Sequence, residues 1–360
     1  MNRNFKSFLR ILWKSTLFWT FAMFCFAFFR FFGLDQENTI TIREDFIEGT
    51  FPKSLIVLSA LGLGLGVLYA FVDFIFEKYI SKKISLGVNL LLKSLFYFIV
   101  TVLITSVVLS VASSIFGLNV EISKGWWRGD KRFWAMLFYI VLASFVFSFI
   151  KMASERFGRG IFLKMLMGRY KNPKEEERIF MFLDLKDSTT IAENLGHHLY
   201  SQFIQDCFYD LNKVVLNYEA EIYQYVGDEA VLSWPYKKGL ANNNCIDLFF
   251  AFQQQCQSRK DFYLKKYRMF PQFKAGLHGG KLMAAEVGFV KKELAYHGDV
   301  INTSSRIQGE CNKYNVPILL SEKILNDLKI DKLSNSKSLG KVNLKGKKED
   351  VIIHTVTHNV

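Results

Sequence analysis

Three stretches of the chain, 54–72, 94–120 and 133–150, contain no charged residue. Each is about long enough to cross a hydrocarbon core of roughly 30 Å, and each predicts a membrane-spanning helix. A fourth apolar run, 15–29, lies between Lys14 and Arg30. Both side chains can snorkel to the interfaces, so the predicted span extends from 10 to 33. Pro173 and the charged run from Lys174 to Arg178 mark the expected boundary of the soluble domain, and from 179 the pattern changes to short apolar runs and amphipathic helices. IFMFLDL (179–185) predicts a strand ending in a carboxylate, and a helix is expected from Ile191. Within 197–218, Leu199, Phe203, Phe208, Leu211 and Val215 recur at near-helical spacing. IYQYVGDEAVLSWP (222–235) is two apolar, aromatic-rich runs around Gly-Asp-Glu, first of all a hairpin signal with solvated acids. A helix near 243–259, a strand at 272–278 and a helix from Asp299 follow. Strand, helix, strand, strand, helix, strand is an α+β ferredoxin-like plan, expected to place its helices on one face of an antiparallel sheet.

Charge sharpens this division. The net charge is +13, of which residues 1–172 hold +11 (21 Lys/Arg against 10 Asp/Glu) and 173–360 hold +2 (25 against 23). The basic excess flanks apolar segments and is not gathered on the soluble module, which argues against nucleic acid as a partner and for a lipid bilayer. Basic residues precede the first span (Arg3, Lys6, Arg10, Lys14), separate the second and third (Lys78, Lys82, Lys83) and follow the fourth, whereas the 34–53 loop is acidic. The positive-inside rule then puts both termini in the cytoplasm, in a multi-pass protein of the cytoplasmic membrane. Trp126 and Trp127 read as interface anchors. Gly62 and Gly66 form a GxxxG spacing suited to close helix packing. The expected organisation is a four-helix transmembrane domain (1–151), a juxtamembrane linker helix (152–174) and a soluble domain (175–360). The linker reads equally as a basic helix on the inner leaflet or as a segment transmitting strain. The five cysteines form no CxxC pair and read as buried thiols of a reducing compartment.

The ferredoxin-like plan gives the acids a second meaning. Asp184 ends the first strand and Asp228 sits at the hairpin tip of its neighbours, so the two carboxylates converge on one sheet edge. Mg²⁺ takes such oxygen ligands together with phosphate oxygens. The turn after Asp184 offers backbone amides that can cradle phosphate. Asn302 and Arg306, four apart, share a face if helical. An Arg fork beside an amide suits a phosphoryl-transfer transition state, but an ordinary surface pair at a helix start reads as well.

Residues 175–357 resemble the class III nucleotidyl cyclase catalytic domain. FLDLKDST (182–189), YQYVGDEAV (223–231), GLHGGKLMAAEVG (276–288) and YHGDVINTSSRIQ (296–308) match its motifs in order, and LKGK (344–347) resembles its closing phosphate-binding stretch. The resemblance implies that Asp184 and Asp228, with the Leu185 carbonyl, bind two Mg²⁺ or Mn²⁺. It implies that Asn302 orients the ribose, that Arg306 stabilises the transition state, and that Lys345, Lys281, Ser188 and Thr189 hold the triphosphate. Lys281 stands where many relatives have Arg, and so lacks the bidentate fork. The reaction implied is attack of the ribose 3′-oxygen on the α-phosphate with loss of pyrophosphate.

Family members draw the metal acids from one subunit and the Asn/Arg pair from its partner. One chain carrying both implies a homodimer with two shared sites. The purine-recognition positions fall at Gln224 and Ala295. Gln224 can bond either purine edge and Ala295 supplies nothing polar. Absence of the guanine-selecting pair favours ATP, and thus an adenylate cyclase. A guanylate cyclase, or a silent nucleotide-sensing module, is the alternative that Gln224 and Ala295 motivate. A transporter rests only on the four spans, with Asp73 the one acid inside them.

Overall fold

The computed structural model describes residues 3–32, 51–76, 79, 84, 86–116, 131–157, 161–328, 335–344 and 350–357. Lys345, Lys78, Lys82, Lys83, Trp126, Trp127, Gly158, Gly160 and most of the 34–53 loop lie outside the described residues. The chain divides into two compact units, Met1–Met152 and Ala153–Val360.

The first unit contains α1 (Arg3–Phe32), α2 (Phe51–Ile75), α3 (Leu86–Phe116) and α4 (Lys131–Phe157). The first three are long and apolar enough to cross a membrane, and α4 carries a shorter apolar stretch, Trp134–Ser148. The GxxxG glycines of α2 pack against α1. A Cβ on Gly62 would lie 2.5 Å from the Trp19 carbonyl oxygen, and one on Gly66 2.5 Å from the Thr16 Cα. Only glycine admits so close a backbone approach. Asp73 of α2 is buried, accepting from Lys93 Nζ at 2.9 Å and from the Tyr97 hydroxyl at 2.8 Å, both on α3. A charge in such surroundings needs this compensation.

The second unit begins with the last residues of α4, from Ala153, and continues with α5 (Ile161–Leu166), β1 (Lys174–Leu185), α6 (Ser188–Val215), β2 (Glu221–Val226), β3 (Glu229–Pro235), α7 (Tyr236–Leu240), α8 (Asn244–Gln257) and α9 (Lys260–Tyr267). It continues with β4 (Phe273–Val287), β5 (Glu293–His297), α10 (Asp299–Gly309), α11 (Cys311–Tyr314), β6 (Ile318–Ser321), α12 (Glu322–Asp327), β7 (Asn335–Val342) and β8 (Val351–Thr357). The sheet order is β2-β3-β1-β4-β6-β8-β7, with β5 paired to β4. Its first four strands are antiparallel neighbours, the ferredoxin-like core. β6 joins β4 in parallel, so the full sheet is mixed.

Three expectations need correction. The charged run from Lys174 to Arg178, expected as a boundary, is the first half of β1, because it pairs with the far half of the long β4. α6 begins at Ser188, ahead of Ile191, and is kinked at Gly196, whose φ of 69° suits glycine. The helices occupy both faces of the sheet. Ile179, Met181 and Leu183 of β1 pack with α6, α8 and α9, whereas Phe180 and Phe182 pack with Val300 of α10 on the other side. Burial on both faces explains why β1 reads as an unbroken apolar run. Cys207, Cys245, Cys256 and Cys311 are buried free thiols, and burial pushes Cys245, Cys256 and Cys311 up to about 12, which leaves those three protonated.

Candidate active site

β1 is flanked by β3 and β4, so its last residues lie between two neighbouring strands. Asp184 stands opposite Glu229 of β3 and opposite Lys274 of β4. Gly227 and Asp228 form the two-residue turn between β2 and β3, with Gly227 at φ 60°. That conformation is why a glycine precedes the acid. Asp184 and Asp228 therefore meet at one sheet edge, where the Asp228 charge acts on the Asp184 carboxylate.

Asp184 is half-buried. Burial raises its pKa, the bonds and charge of Lys274 oppose this, the Asp228 charge adds to it and the bond from Gln308 opposes it. Lys274 Nζ lies 3.1 Å from Asp184 Oδ2, and the Gln308 side-chain amide donates to the same oxygen at 3.1 Å. Glu229 is a third carboxyl here, pushed up to about 7 by burial and by the charges of Asp184 and Asp228. Tyr200 of α6 reaches the same group. Burial and the Asp228 charge raise its hydroxyl pKa, and Ser188 opposes this. Leu185 ends β1 with its side chain in the core.

Ser188 opens α6 and is half-buried, whereas Thr189 is exposed. Asp187 precedes them at φ 56° and ψ 32°. This left-handed conformation is one that Asp tolerates better than most residues, which accounts for an acid in the turn.

The predicted helix is present: Asn302 and Arg306 are on α10 and share one face. The buried stripe of α10 is Val300, Thr303, Ser304, Ile307 and Gln308. Asn302 and Arg306 occupy the opposite stripe, away from the side that reaches Asp184. The chain brings Asp184, Asp228, Ser188 and Lys274 together, but does not turn Asn302 and Arg306 toward them.

Lys281 is placed elsewhere. It lies seven register positions from Lys274 along β4, opposite Glu177. At about 3.3 Å per residue this is roughly 23 Å from the Asp184 end of the ladder. Lys281 is exposed and pairs with Glu175 at 2.9 Å. In an antiparallel sheet the end of β1 meets the start of β4, so the lysine beside Asp184 is Lys274.

Gln224 and Ala295 come from β2 and β5, and their neighbours touch. The Tyr223 and Tyr296 rings are 5.1 Å apart, packed edge to face. The two positions thus flank one contact although 71 residues separate them (295 − 224).

Sequence reasoning missed Glu229, Lys274, Gln308 and Tyr200. Lys274 carried a signal, as a charge inside the apolar strand QFKAGLH. Gln308 carried another, as a polar residue in register with Val300 and Ser304. Among the described residues no three ligating side chains close into a metal cage. Two carboxylates without a cage fit Mg²⁺, which binds through one or two acids plus substrate phosphates.

The family model for the adenylate and guanylate cyclase catalytic domain matches residues 170–358. Adenylate cyclase 2 of Rhizobium meliloti (strain 1021) is 34% identical over 222 residues, 62% of this chain and 61% of that protein. Adenylate cyclase 1 of the same strain is 25% identical over 187 residues, 50% of this chain and 27% of that protein. This chain therefore spans less than two thirds of either relative. A solved bacterial light-regulated adenylyl cyclase shares the fold at a TM-score of 0.51 and 15% identity, over 61% of this chain and 64% of that one.

Proposed function

Since this chain belongs to the adenylate and guanylate cyclase family, we propose that it is a membrane-anchored adenylate cyclase, converting ATP to cyclic AMP and pyrophosphate as a homodimer. The observation that carries the proposal is the meeting of Asp184 and Asp228 at the sheet edge, with Lys274 beside them. Asp184, Asp228 and the Leu185 carbonyl would hold two divalent cations, which would supply positive charge for activating the ribose 3′-oxygen and for steadying the pyrophosphate that leaves.

The chain's own groups do the rest. Ser188 and the turn at the start of α6 lie where phosphate oxygens approach. Lys274, rather than Lys281, is the cation at hand for the triphosphate, joined by Lys345. Asn302 orients the ribose, and Arg306 meets the charge that develops on the transferred phosphorus. Because Asn302 and Arg306 face away from Asp184 in their own chain, they serve the partner's site. Gln224 reads the purine edge beside Ala295. Four spans (1–151) anchor the enzyme, residues 152–174 link it to the catalytic domain (175–360), and both termini are cytoplasmic.

The test uses full-length protein in detergent with ATP or GTP and Mg²⁺ or Mn²⁺, with products identified by mass spectrometry. Cyclic AMP from ATP is expected, and cyclic GMP alone would reverse the choice of purine. Asp184→Asn or Asp228→Asn is expected to abolish turnover with the dimer intact. Full activity in both variants would overturn the mechanism.

A further inference from the structure

Gln308 has no role in the chemistry above. It is 7% exposed, and its amide donates to Asp184 Oδ2 at 3.1 Å. Lys274 takes the same oxygen. Together they clamp Oδ2, whereas among the described residues no side chain bonds Oδ1. The helix bearing Gln308 is seated without slack. A Cβ added to Gly276 on the strand beneath would lie 2.2 Å from the Gln308 backbone nitrogen. Arg306 lies two residues before Gln308, on the opposite stripe of an 11-residue helix. One side of α10 therefore grips the acid of its own chain while the other carries Asn302 and Arg306.

We propose that Gln308 is a positioning residue that ties Asp184 to α10, and so couples the acid cluster of one site to the Arg306 delivered to the other. The inference rests on the shared-site homodimer proposed above. Reorientation of the Asp184 carboxylate pulls on Gln308, and α10 transmits the shift to Arg306. Groups that orient a ligating carboxylate commonly matter as much as this requires.

The first test is Mn²⁺ binding to the full-length protein without nucleotide, by electron paramagnetic resonance. Gln308→Met keeps the shape and removes the donor, and is expected to weaken Mn²⁺ binding about tenfold with an unchanged melting temperature. Gln308→Asn, one methylene short of Asp184, is expected to act in the same direction. Unchanged affinity in both variants overturns the proposal.

The second test co-expresses Asp228→Asn chains with Arg306→Ala chains, so that mixed dimers form as the chains are made and each rebuilds one complete site. Recovery on the order of a quarter of wild-type activity is expected if sites are shared. Gln308→Met is then added to either chain. In the chain that gives the acids, it is expected to raise the metal concentration for half-maximal rate about tenfold. In the chain that gives Arg306, it is expected to lower kcat about tenfold at saturating metal. Equal effects from both placements, without this split, overturn the coupling. No recovery from mixing overturns the shared site and the coupling with it, whereas the Mn²⁺ titration still decides the hold on Asp184.

Discussion

Glu229 illustrates how one residue feels its surroundings. Burial and two neighbouring carboxylates push it up to about 7 from an ordinary 4.5. The folded chain then binds a proton that the unfolded chain has already released, so this group's contribution to stability falls as pH rises from about 4.5 through about 7. The group is half-exposed, and solvent screening reduces the effect to about 1 kcal/mol. Glu229→Gln in metal-free protein is expected to raise the melting temperature by about 2–4 °C at pH near 8, and not at pH near 4.5. Thermal unfolding with a chelator at both pH values checks this. An equal gain at both would mean that the substitution acts by packing. That Asp184 and Asp228 come together was legible because a strand end and a hairpin tip are local features of the chain. Glu229 was not, because its shift comes from two acids that only the sheet brings beside it.

At the scale of elements, the seat of α10 depends on one missing side chain. Gly276 lies under Gln308, where a Cβ would fall 2.2 Å from a backbone nitrogen and 2.5 Å from its Cα. Gly276→Ala is therefore expected to destabilise the second unit by about 1–3 kcal/mol by overpacking, and to reduce turnover by lifting α10. Denaturant unfolding and a cyclase assay measure both. Gly309 is the control, since nothing lies within 4 Å of its added Cβ. Gly309→Ala is expected to be neutral or mildly stabilising. The hairpin, α8 and α10 were legible from turn residues and periodicity. β7 and β8 were not foreseen, and β7 (NSKSLGKV) lacks the apolar alternation that marks a half-buried strand.

For the whole molecule, the stripe of Asn302 and Arg306 turned away from Asp184 makes one chain insufficient for the proposed reaction. Activity then depends on whatever holds two chains together. The specific activity of full-length protein in micelles is expected to stay constant on dilution if α1–α4 hold the proposed dimer together. Ala153–Val360 alone is expected to lose specific activity as it is diluted. Size-exclusion chromatography alongside the assay would follow the dimer. A full-length enzyme that loses activity as fast as Ala153–Val360 would deny the apolar helices this role.

The sequence by itself separated the long apolar helices from the α+β unit, because uncharged runs and amphipathic periods are local properties of the chain. It also determined the ferredoxin-like core and the acids at its edge, because strand ends and turn residues are local too. Only the tertiary structure decided that Lys274 and not Lys281 stands beside Asp184, since strand register pairs residues 90 positions apart (274 − 184). It alone put α10 on the face opposite α6 and α8, and so placed Gln308 against the acid and Arg306 away from it. Periodicity identifies the buried stripe of a helix, but the surface that buries it belongs to the assembled sheet.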